Sequence, residues 1–208
     1  MASSFRDNLR LTYDRQAAAR DAGLIQDWKV AERADFLALL QKEHKGNLLE
    51  IGAGPGRDGR FFQDNGLEVT CIDLSPEMVR LCREKGLTAR VMDVAELDFP
   101  PGSFDAVYAM NSLLHLSKAE LPGVLAKISA VLRPAGLFYL GVWGGYDFEG
   151  VWEQDDYDPK RFYSYFSDES LKRTVSATFD VVAFRNVDVG RAFGLHFQSL
   201  VLRKRAEG

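Results

Sequence analysis

Four glycines follow a short apolar run near residue 50, and they form two overlapping patterns. The stretch NLLEIGAGPGRDG contains G-x-G-x-G at Gly52, Gly54 and Gly56, and it contains G-x-G-x-x-G at Gly54, Gly56 and Gly59. Glycines after a strand let a ligand approach the backbone without meeting a Cβ, and a following helix directs free N–H groups at that ligand. Both patterns are typical of nucleotide-type ligands, so the loop alone does not choose among them.

Acidic residues near the loop narrow the class of ligand. Asp73 ends the second predicted strand, where a carboxylate can accept hydrogen bonds from vicinal ribose hydroxyls. That role is shared by sites for dinucleotides and for S-adenosylmethionine (SAM). Glu50 precedes the first glycine, where an acid disfavours a pyrophosphate but can face a sulfonium or an ammonium group. Asp93 follows a third strand and can accept a hydrogen bond from an adenine amino group.

The elements that must position these residues alternate along the chain. Apolar residues at intervals of three and four predict helices between residues 5 and 45, with a break at Gly23. Strands and helices then alternate over residues 47–143, and Ser75 with Pro76 predicts one helix start. This alternation predicts a parallel sheet with helices on both faces, and ligands bind such sheets beyond the carboxyl ends of the strands.

The pattern changes after Trp143. Residues 144–167 are rich in Gly, Asp and aromatic residues without a regular period, and we interpret them as an inserted lid. A helix and two β-rich runs follow, DVVAFRNVDV and LHFQSLVLRK, and the GRAFG between them predicts a closing hairpin. We therefore predict a helical cap over residues 1–45 and a ligand-binding domain over residues 46–208, which together form a single globular domain.

Composition and charge disfavour several classes of protein. The formal net charge is −4, whereas general nucleic-acid binding depends on Lys and Arg that neutralise phosphates. The two cysteines, Cys71 and Cys82, form no C-x-x-C pair and no cluster with a histidine, so we expect no metal site and no disulfide framework. The first ten residues carry charges and no long apolar run occurs, so we expect no signal peptide, no membrane span and a cytoplasmic location.

The order and spacing of four segments resemble a class I SAM-dependent methyltransferase: LLEIGAGPGRDG, CIDLSPEMV, VMDVAELDFPPGSFDAVYAMNSLLHL and VLRPAGLFYL. The resemblance covers residues 47–143 closely and the final strands more loosely. It implies an α/β fold with a Rossmann-like, doubly wound, mainly parallel sheet of seven strands. The last strand would be antiparallel, inserted through a terminal hairpin, and an N-terminal helical cap would precede the SAM-binding methyltransferase domain over residues 46–208.

The resemblance also implies which residues hold SAM and release S-adenosylhomocysteine (SAH). Three glycines of the loop would line the methionine part, Asp73 would take the ribose hydroxyls, and Asn111 would face the ligand near its reacting end. Glu50 is usually structural in such enzymes. The implied cofactor residues are Glu50, Gly52, Ala53, Gly54, Gly56, Asp73, Leu74, Met78, Asp93, Val94 and Asn111. Gly59 is then a helix residue that completes the second glycine pattern by coincidence.

Methyl transfer from a sulfonium is an in-line displacement with a neutral leaving group, and in principle it needs no metal. Alignment of the two reactants can supply much of the rate, and a general base matters mainly when the acceptor holds its proton at neutral pH. His115, in NSLLHL, is the candidate catalytic base because an imidazole titrates near neutral pH. Its alternative role is packing and hydrogen bonding.

Aromatic and charged residues around the predicted cleft are candidates for contacts with the methyl acceptor. Aromatic residues of the insert can enclose an apolar or cationic molecule, or they can form a satellite core. Residues on the first helices can reach the SAM carboxylate or the acceptor, or they can pack. The predicted substrate-binding residues are Tyr13, Arg33, Trp143, Tyr146 and Tyr163. The predicted partner is a small molecule, without nucleic acid or membrane, and the oligomeric state stays open.

Three functions remain open from the sequence. The first is a methyltransferase that acts on O, N or S of a small molecule. The second is an NAD(P)-dependent oxidoreductase, which G-x-G-x-x-G with Asp73 favours and the lack of a Tyr-x-x-x-Lys set disfavours. The third is a SAM-binding protein without catalysis, or a protein or RNA methyltransferase. The Asn/Asp-Pro-Pro-Tyr motif of amino-group methylases of nucleic acids is missing, since AMNSLL follows the fourth strand.

Overall fold

A central mixed sheet organises the protein. The structure is a computed structural model that describes residues 2–190 and 194–205, with side chains from residue 5 onward. The strands of these ranges are β1 (Asn47–Ile51), β2 (Glu68–Asp73), β3 (Thr88–Val91), β4 (Phe104–Met110), β5 (Leu132–Gly144), β6 (Phe148–Val151), β7 (Phe162–Tyr165), β8 (Phe179–Val187) and β9 (His196–Lys204).

Helices precede the sheet in sequence and connect its strands. They are α1 (Ala2–Ala22), α2 (Asp27–Lys42), α3 (Arg57–Asp64), α4 (Pro76–Glu84), α5 (Leu121–Val131) and α6 (Asp168–Ser176), with 3-10 turns at Val94–Glu96 and Leu113–His115. As predicted, the Ser75 side chain caps α4 by accepting a hydrogen bond from the Met78 N–H. Helix α5 begins at Leu121, and Pro122 lies in its first turn, where a missing N–H costs no hydrogen bond.

The strand order of the main sheet is β3-β2-β1-β4-β5-β9-β8. Strands β1 to β5 pair in parallel, whereas β9 pairs antiparallel with both β5 and β8. Strand β8 therefore runs parallel to β5, and β9 is the inserted antiparallel strand. This order confirms the predicted α/β, Rossmann-like fold class. Within the predicted hairpin turn GRAFG, residues 191–193 lie outside the described residues.

The core lies on both faces of the sheet. Leu49 and Val107 contribute to the larger apolar cluster, while Leu48 and Tyr108 contribute to a second cluster that includes Phe36 of α2. Burying one such side chain contributes about 1.5–3 kcal/mol, so the strands form a rigid platform under the loops at their carboxyl ends. None of the helices in the described ranges has the length and apolar character of a membrane span.

The segment over residues 144–167 contains a small hairpin. Strands β6 and β7 pair antiparallel, from Phe148 opposite Tyr165 to Val151 opposite Phe162. The sequence predicts neither strand, because each spans four residues; β6 has a single aromatic residue, and the aromatic residues of β7 fall on both of its sides. The hairpin lies beside the 3-10 turn that follows β4, which brings the insert to the carboxyl edge of the sheet.

Candidate functional site

The glycine loop joins β1 to α3 at the carboxyl edge of the sheet. The N–H groups of Gly52 and Ala53 donate to the Ile72 carbonyl oxygen over 2.8 and 3.1 Å, which ties the loop to β2. Gly52 has a φ of +68°, and a Cβ there would lie 2.3 Å from the Cβ of Ser112. Gly54 also has a positive φ, but no atom lies within 4 Å of its Cβ position. Gly52 is therefore required for close packing, while Gly54 leaves its backbone open to a ligand.

The other two glycines of the loop serve packing. A Cβ on Gly56 would lie 2.7 Å from the Cδ1 of Leu87, and a Cβ on Gly59 would lie 2.5 Å from the Oε2 of Glu50. Gly56 lines neither of the cavities beside the loop. Gly59 therefore has a packing role in α3: a side chain at this position would collide with Glu50.

Two adjoining cavities open beside the glycine loop. The Asp73 cavity, lined by Asp73 and residues of α1, has a volume of about 120 Å³. The Glu50 cavity, lined by Glu50 and Lys29, has a volume of about 280 Å³. Gly52, Gly54, Met110, Asn111 and Arg20 line both cavities. The predicted cofactor residues that line one cavity or both are Glu50, Gly52, Ala53, Gly54, Asp73, Leu74, Asp93, Val94 and Asn111.

Asp73 joins the glycine loop to the start of α4. Its Oδ2 accepts a hydrogen bond from the Gly54 N–H over 2.8 Å, and its Oδ1 accepts one from the Ser75 N–H over 2.9 Å. Burial raises the pKa of Asp73, although the two N–H donors act in the opposite direction. Because a carboxylate can accept about four hydrogen bonds, Asp73 retains acceptor capacity toward the cavity.

Helix α1 closes the other side of the Asp73 cavity. The Nε of Arg6 lies 2.9 Å from the Oδ2 of Asp93, whose Oδ1 accepts from the Ala95 N–H over 2.8 Å. Three α1 residues in the cavity lining are absent from the predicted site: Arg6, Leu9 and Arg20. They share one helix face with Tyr13, and this spacing is the sequence signal that could have found them.

Asn111 and Ser112 bring unsatisfied polar atoms to the cavity wall. Asn111 has a φ of +56°, and its N–H donates to the Gly141 carbonyl oxygen over 2.7 Å. Among the described residues, the Oδ1 of Asn111 and the Oγ of Ser112 are buried without a hydrogen-bond partner. A buried polar atom without a partner costs about 1–3 kcal/mol. A polar ligand in the Asp73 cavity would supply the missing partners.

Glu50 is a buried acid at the base of the Glu50 cavity. Its side chain is one of the few ionisable groups of the core, and the Sγ of Cys71 donates to its Oε2 over 3.4 Å. Burial raises the pKa of Glu50 well above its ordinary value, and the nearby Asp58 carboxylate adds to this effect. A cation that binds beside Glu50 would lower this pKa and would itself be attracted.

His115 is held in one tautomer by two hydrogen bonds. Its Nδ1 lies 2.8 Å from the Phe162 carbonyl oxygen, which only accepts, so we assign the proton to Nδ1. Its Nε2 then accepts from the Tyr13 hydroxyl over 2.7 Å, and the Nη1 of Arg161 donates to the same hydroxyl over 3.3 Å. Burial lowers the pKa of His115 to about 4. The neutral ring and its occupied Nε2 favour hydrogen bonding over general-base catalysis.

Replacing His115 with glutamine is expected to reduce the acid sensitivity of folding. The pKa is about 4 in the folded protein and 6.5 ordinarily, so the unfolded chain binds more protons in this window. This contribution to stability is present above pH 6.5 and is lost as the pH falls toward 4. It amounts to about 2 kcal/mol between pH 7.5 and pH 5.

Urea unfolding at both pH values measures this difference. The wild type should lose about 2 kcal/mol more than His115→Gln. His44 is exposed, so His44→Gln serves as the matched control and should follow the wild type. Equal losses in wild type and His115→Gln would contradict the assignment of a neutral, buried imidazole.

Four of the five predicted substrate-binding residues line neither cavity, and Arg33 and Trp143 are two of them. The Nη1 of Arg33 pairs with the Oδ1 of Asp58 over 2.8 Å, and its guanidinium lies over the Phe61 ring. The Trp143 ring packs edge-on against Trp28, with 5.8 Å between ring centroids. Both side chains are engaged by neighbours of the fold, so we leave them out of the proposed site.

The other predicted site residues either line a cavity or pack against neighbouring side chains. Tyr13 lines the Asp73 cavity. Tyr163 lies behind His115, with 4.9 Å between ring centroids, and Tyr146 packs edge-on against Tyr165. Met78 is 1% exposed in α4 and lines neither cavity. In the described part of the chain, no group of three or more His, Cys, Asp and Glu side chains is arranged to hold a metal ion.

Comparisons with known proteins find similarity to methyltransferases. Residues 48–136 match the methyltransferase-domain family model. The chain is 29% identical over 128 residues to a malonyl-[acyl-carrier protein] O-methyltransferase of Serratia marcescens, covering 60% of this chain and 48% of that protein. It is 35% identical over 115 residues to a ubiquinone biosynthesis O-methyltransferase of Xanthomonas campestris, covering 52% of this chain and 47% of that protein. The chain thus spans about half the length of these curated relatives.

A solved structure extends the similarity over nearly the whole chain. It is the 1,6-didemethyltoxoflavin-N1-methyltransferase of Burkholderia thailandensis with bound 1,6-didemethyltoxoflavin and S-adenosylhomocysteine. The TM-score is 0.72 at 27% identity, with 95% of this chain and 88% of that chain covered. The PH0226 protein of Pyrococcus horikoshii shares the fold, with a TM-score of 0.69 at 18% identity and coverage of 87% of this chain and 92% of that chain. The family model, the relatives and the solved structures are all methyltransferases or share their fold, and the inserted antiparallel strand agrees with them. The chain is therefore similar to the class I SAM-dependent methyltransferases, and residues 48–136 match their methyltransferase domain.

Proposed function

We propose that the protein transfers the methyl group of SAM to O, N or S of a small molecule. The observation that carries this proposal is the carboxylate of Asp73, held by the N–H groups of Gly54 and Ser75 at the wall of a cavity with unsatisfied polar atoms. This carboxylate is suited to two adjacent hydroxyls such as those of a ribose.

The residues around the two cavities suit the parts of SAM. In the proposal, Asp73 holds the ribose, and Leu74, Asp93 and Val94 border the adenine. The Glu50 cavity takes the methionine part, which carries both an ammonium and a carboxylate. Its lining includes the acid Glu50 and cationic residues of α1 and α2, so it offers both signs of charge.

The chain's contribution to the reaction is alignment and exclusion of water. When bound, SAM would supply an electrophilic methyl carbon to a lone pair of the acceptor, and the electron pair of the broken C–S bond would leave on the sulfur of SAH. The neutral imidazole of His115 fixes the Tyr13 hydroxyl at the wall of the Asp73 cavity. Helix α1 covers this cavity, which limits access of water to the reacting centre.

A small-molecule acceptor is supported by the similar proteins and by charge. The B. thailandensis structure holds 1,6-didemethyltoxoflavin, which is a small molecule. The net charge of −4 supports the absence of a nucleic-acid partner. The cytoplasmic location remains a prediction from the sequence.

Labelled SAM and pools of metabolites test the proposed activity. Purified protein should place the labelled methyl group on a small molecule that mass spectrometry identifies, and Asp73→Asn protein should not. A protein that binds SAM but labels no metabolite would support the non-catalytic alternative. Labelling of protein or RNA instead would overturn the small-molecule assignment.

We also propose that α1 and the insert over residues 144–167 close together over the bound cofactor. The two segments touch at several polar contacts: Thr12 Oγ1 donates to the Pro159 carbonyl oxygen over 2.5 Å, and Arg15 donates to the Asp158 carbonyl oxygen over 3.0 Å. In this proposal the cap over residues 1–45 and the domain over residues 46–208 act as a single globular unit.

SAH is expected to slow proteolysis between Tyr146 and Ser167. Cofactor contacts with α1 would favour the closed arrangement and therefore protect the insert that α1 touches. Limited digestion with and without SAH measures the rates, and cleavage within β8 provides the control that should not change. Equal rates of cleavage in the insert would mean that it is not a lid.

A further inference from the structure

A third cavity adjoins the Asp73 cavity. Its volume of about 350 Å³ is within the range of about 300–1,000 Å³ that is usual for ligand pockets. Arg6, Leu9 and His115 line both this cavity and the Asp73 cavity. A molecule in the third cavity would therefore lie next to a ligand in the Asp73 cavity.

Aromatic rings form the apolar wall of this third cavity. Phe5 of α1 and Phe162 of β7 lie with their ring centroids 5.3 Å apart and their planes tilted by 35°. Phe5 is 38% exposed, and Leu9 lies on the same helix one turn further along. A flat apolar ring would cover these exposed surfaces, and aromatic pairs at such distances are favourable.

One negative charge in the lining lacks a cationic partner. Arg6 and Glu120 compensate each other, with 2.6 Å between Nη2 and Oε1. The Oε1 of Glu149 accepts from the Lys118 N–H over 2.8 Å, but within the described ranges no side-chain nitrogen of Lys, Arg or His lies within 4.0 Å of this carboxylate. The ammonium of Lys118 pairs instead with Asp147 over 2.6 Å. The third cavity therefore favours a cation.

We propose that this third cavity, the acceptor groove, binds the methyl acceptor, and that the acceptor is a flat, mainly apolar ring compound carrying an amine that is charged at neutral pH. The inference rests on the proposed methyltransferase function. Glu149 attracts the ammonium, and the faces of Phe5 and Phe162 favour the same charge. An anionic ring compound is disfavoured by Glu149, and Arg6 is already paired with Asp93 and Glu120.

Three probes with the same ring and different charge test the proposal. Full-length protein saturated with SAH is titrated with 1-naphthylmethylamine, 1-naphthylmethanol and 1-naphthoate. We expect the amine to bind about ten-fold more tightly than the carboxylate, because Glu149 attracts one and repels the other. Equal affinities for amine and carboxylate would overturn the proposal, and so would no binding of the amine.

Substitutions measure separately how the charge and the ring contacts contribute to binding of the probes. Glu149→Gln should remove the preference for the amine over the alcohol. Phe162→Ala should instead weaken the binding of the amine and of the alcohol by similar factors. Glu153→Gln is the matched control, because Glu153 is an insert acid whose side chain is 81% exposed and pairs with Lys160. An unchanged preference in Glu149→Gln would overturn the proposal.

SAH affinity is measured on each protein before the probes are added. This measurement separates a failure of the proposed function from a failure of the acceptor groove. If the wild type does not bind SAH, the proposed function fails, and the acceptor groove fails with it. If the wild type binds SAH but shows no preference for the amine, only the acceptor groove is overturned. The variants should bind SAH within about two-fold of the wild type, since neither Glu149 nor Phe162 lines the Asp73 cavity or the Glu50 cavity.

Discussion

Gly52→Ala protein is expected to lose measurable binding of SAM and SAH. The φ of +68° strains any residue with a side chain, and the new Cβ would lie 2.3 Å from the Cβ of Ser112. Either the glycine loop or the turn at Asn111 and Ser112 must move, and both line the Asp73 cavity. We expect affinity to fall by about a hundred-fold or more, with a loss of about 1–3 kcal/mol in the free energy of unfolding.

Gly123→Ala is the matched control for this substitution. Gly123 lies in α5, with no atom within 4 Å of its Cβ position and without a positive φ. Alanine there should leave the affinity unchanged and raise stability by about 0.5–1 kcal/mol. Calorimetric titration with SAH compares the three proteins. Binding by Gly52→Ala within a few-fold of the wild type would show that the loop geometry is not needed.

Asp73→Asn protein is the second variant with a large expected effect. The substitution keeps the shape but removes the charge, and its amide NH₂ would face the N–H of Gly54 or of Ser75 in place of an acceptor oxygen. Loss of either hydrogen bond breaks the bridge that Asp73 forms between the glycine loop and the start of α4, and a ribose loses its charged acceptor. Since hydrogen bonds to charged groups are worth about 1.5–3 kcal/mol each, we expect SAM affinity to fall by about a hundred-fold.

Asp105→Asn tests whether removing the charge of any structural carboxylate would lower SAM affinity as Asp73→Asn is expected to do. The Oδ2 of Asp105 accepts from the N–H groups of Gly46 and Asn47, both over 3.0 Å, at the amino end of the sheet. This variant should lose stability to a similar degree but bind SAM like the wild type. Comparable affinity losses in both variants would assign the effect of Asp73 to stability and not to ligand contact.

The fold was predictable from sequence where local chemistry decides it. Ser75 and Pro76 define the start of α4, and the apolar runs around Leu49 and Val107 correspond to strands buried on both faces. The hairpin of β6 and β7 was not predictable, because short strands depend on pairing with each other more than on their own pattern. Its position beside the turn after β4 is a tertiary property.

The candidate site was also predictable only where local sequence decides the position of a residue. Gly52, Gly54 and Asp73 could be located because a glycine loop and a strand end position their residues locally. The environment of His115 could not, since its partners Tyr13 and Phe162 come from distant parts of the chain. On α1, spacing alone could have shown that Arg6, Leu9 and Tyr13 share a helix face, but what that face contacts is decided only when the helix packs.

Calorimetric titration of the wild-type protein with SAM, SAH and NAD(H) tests the central claim most directly. The arrangement of Asp73, Gly54 and Asn111 predicts micromolar binding of SAM and SAH and no binding of NAD(H). Clear binding of NAD(H), with no heat from either SAM or SAH, would contradict it.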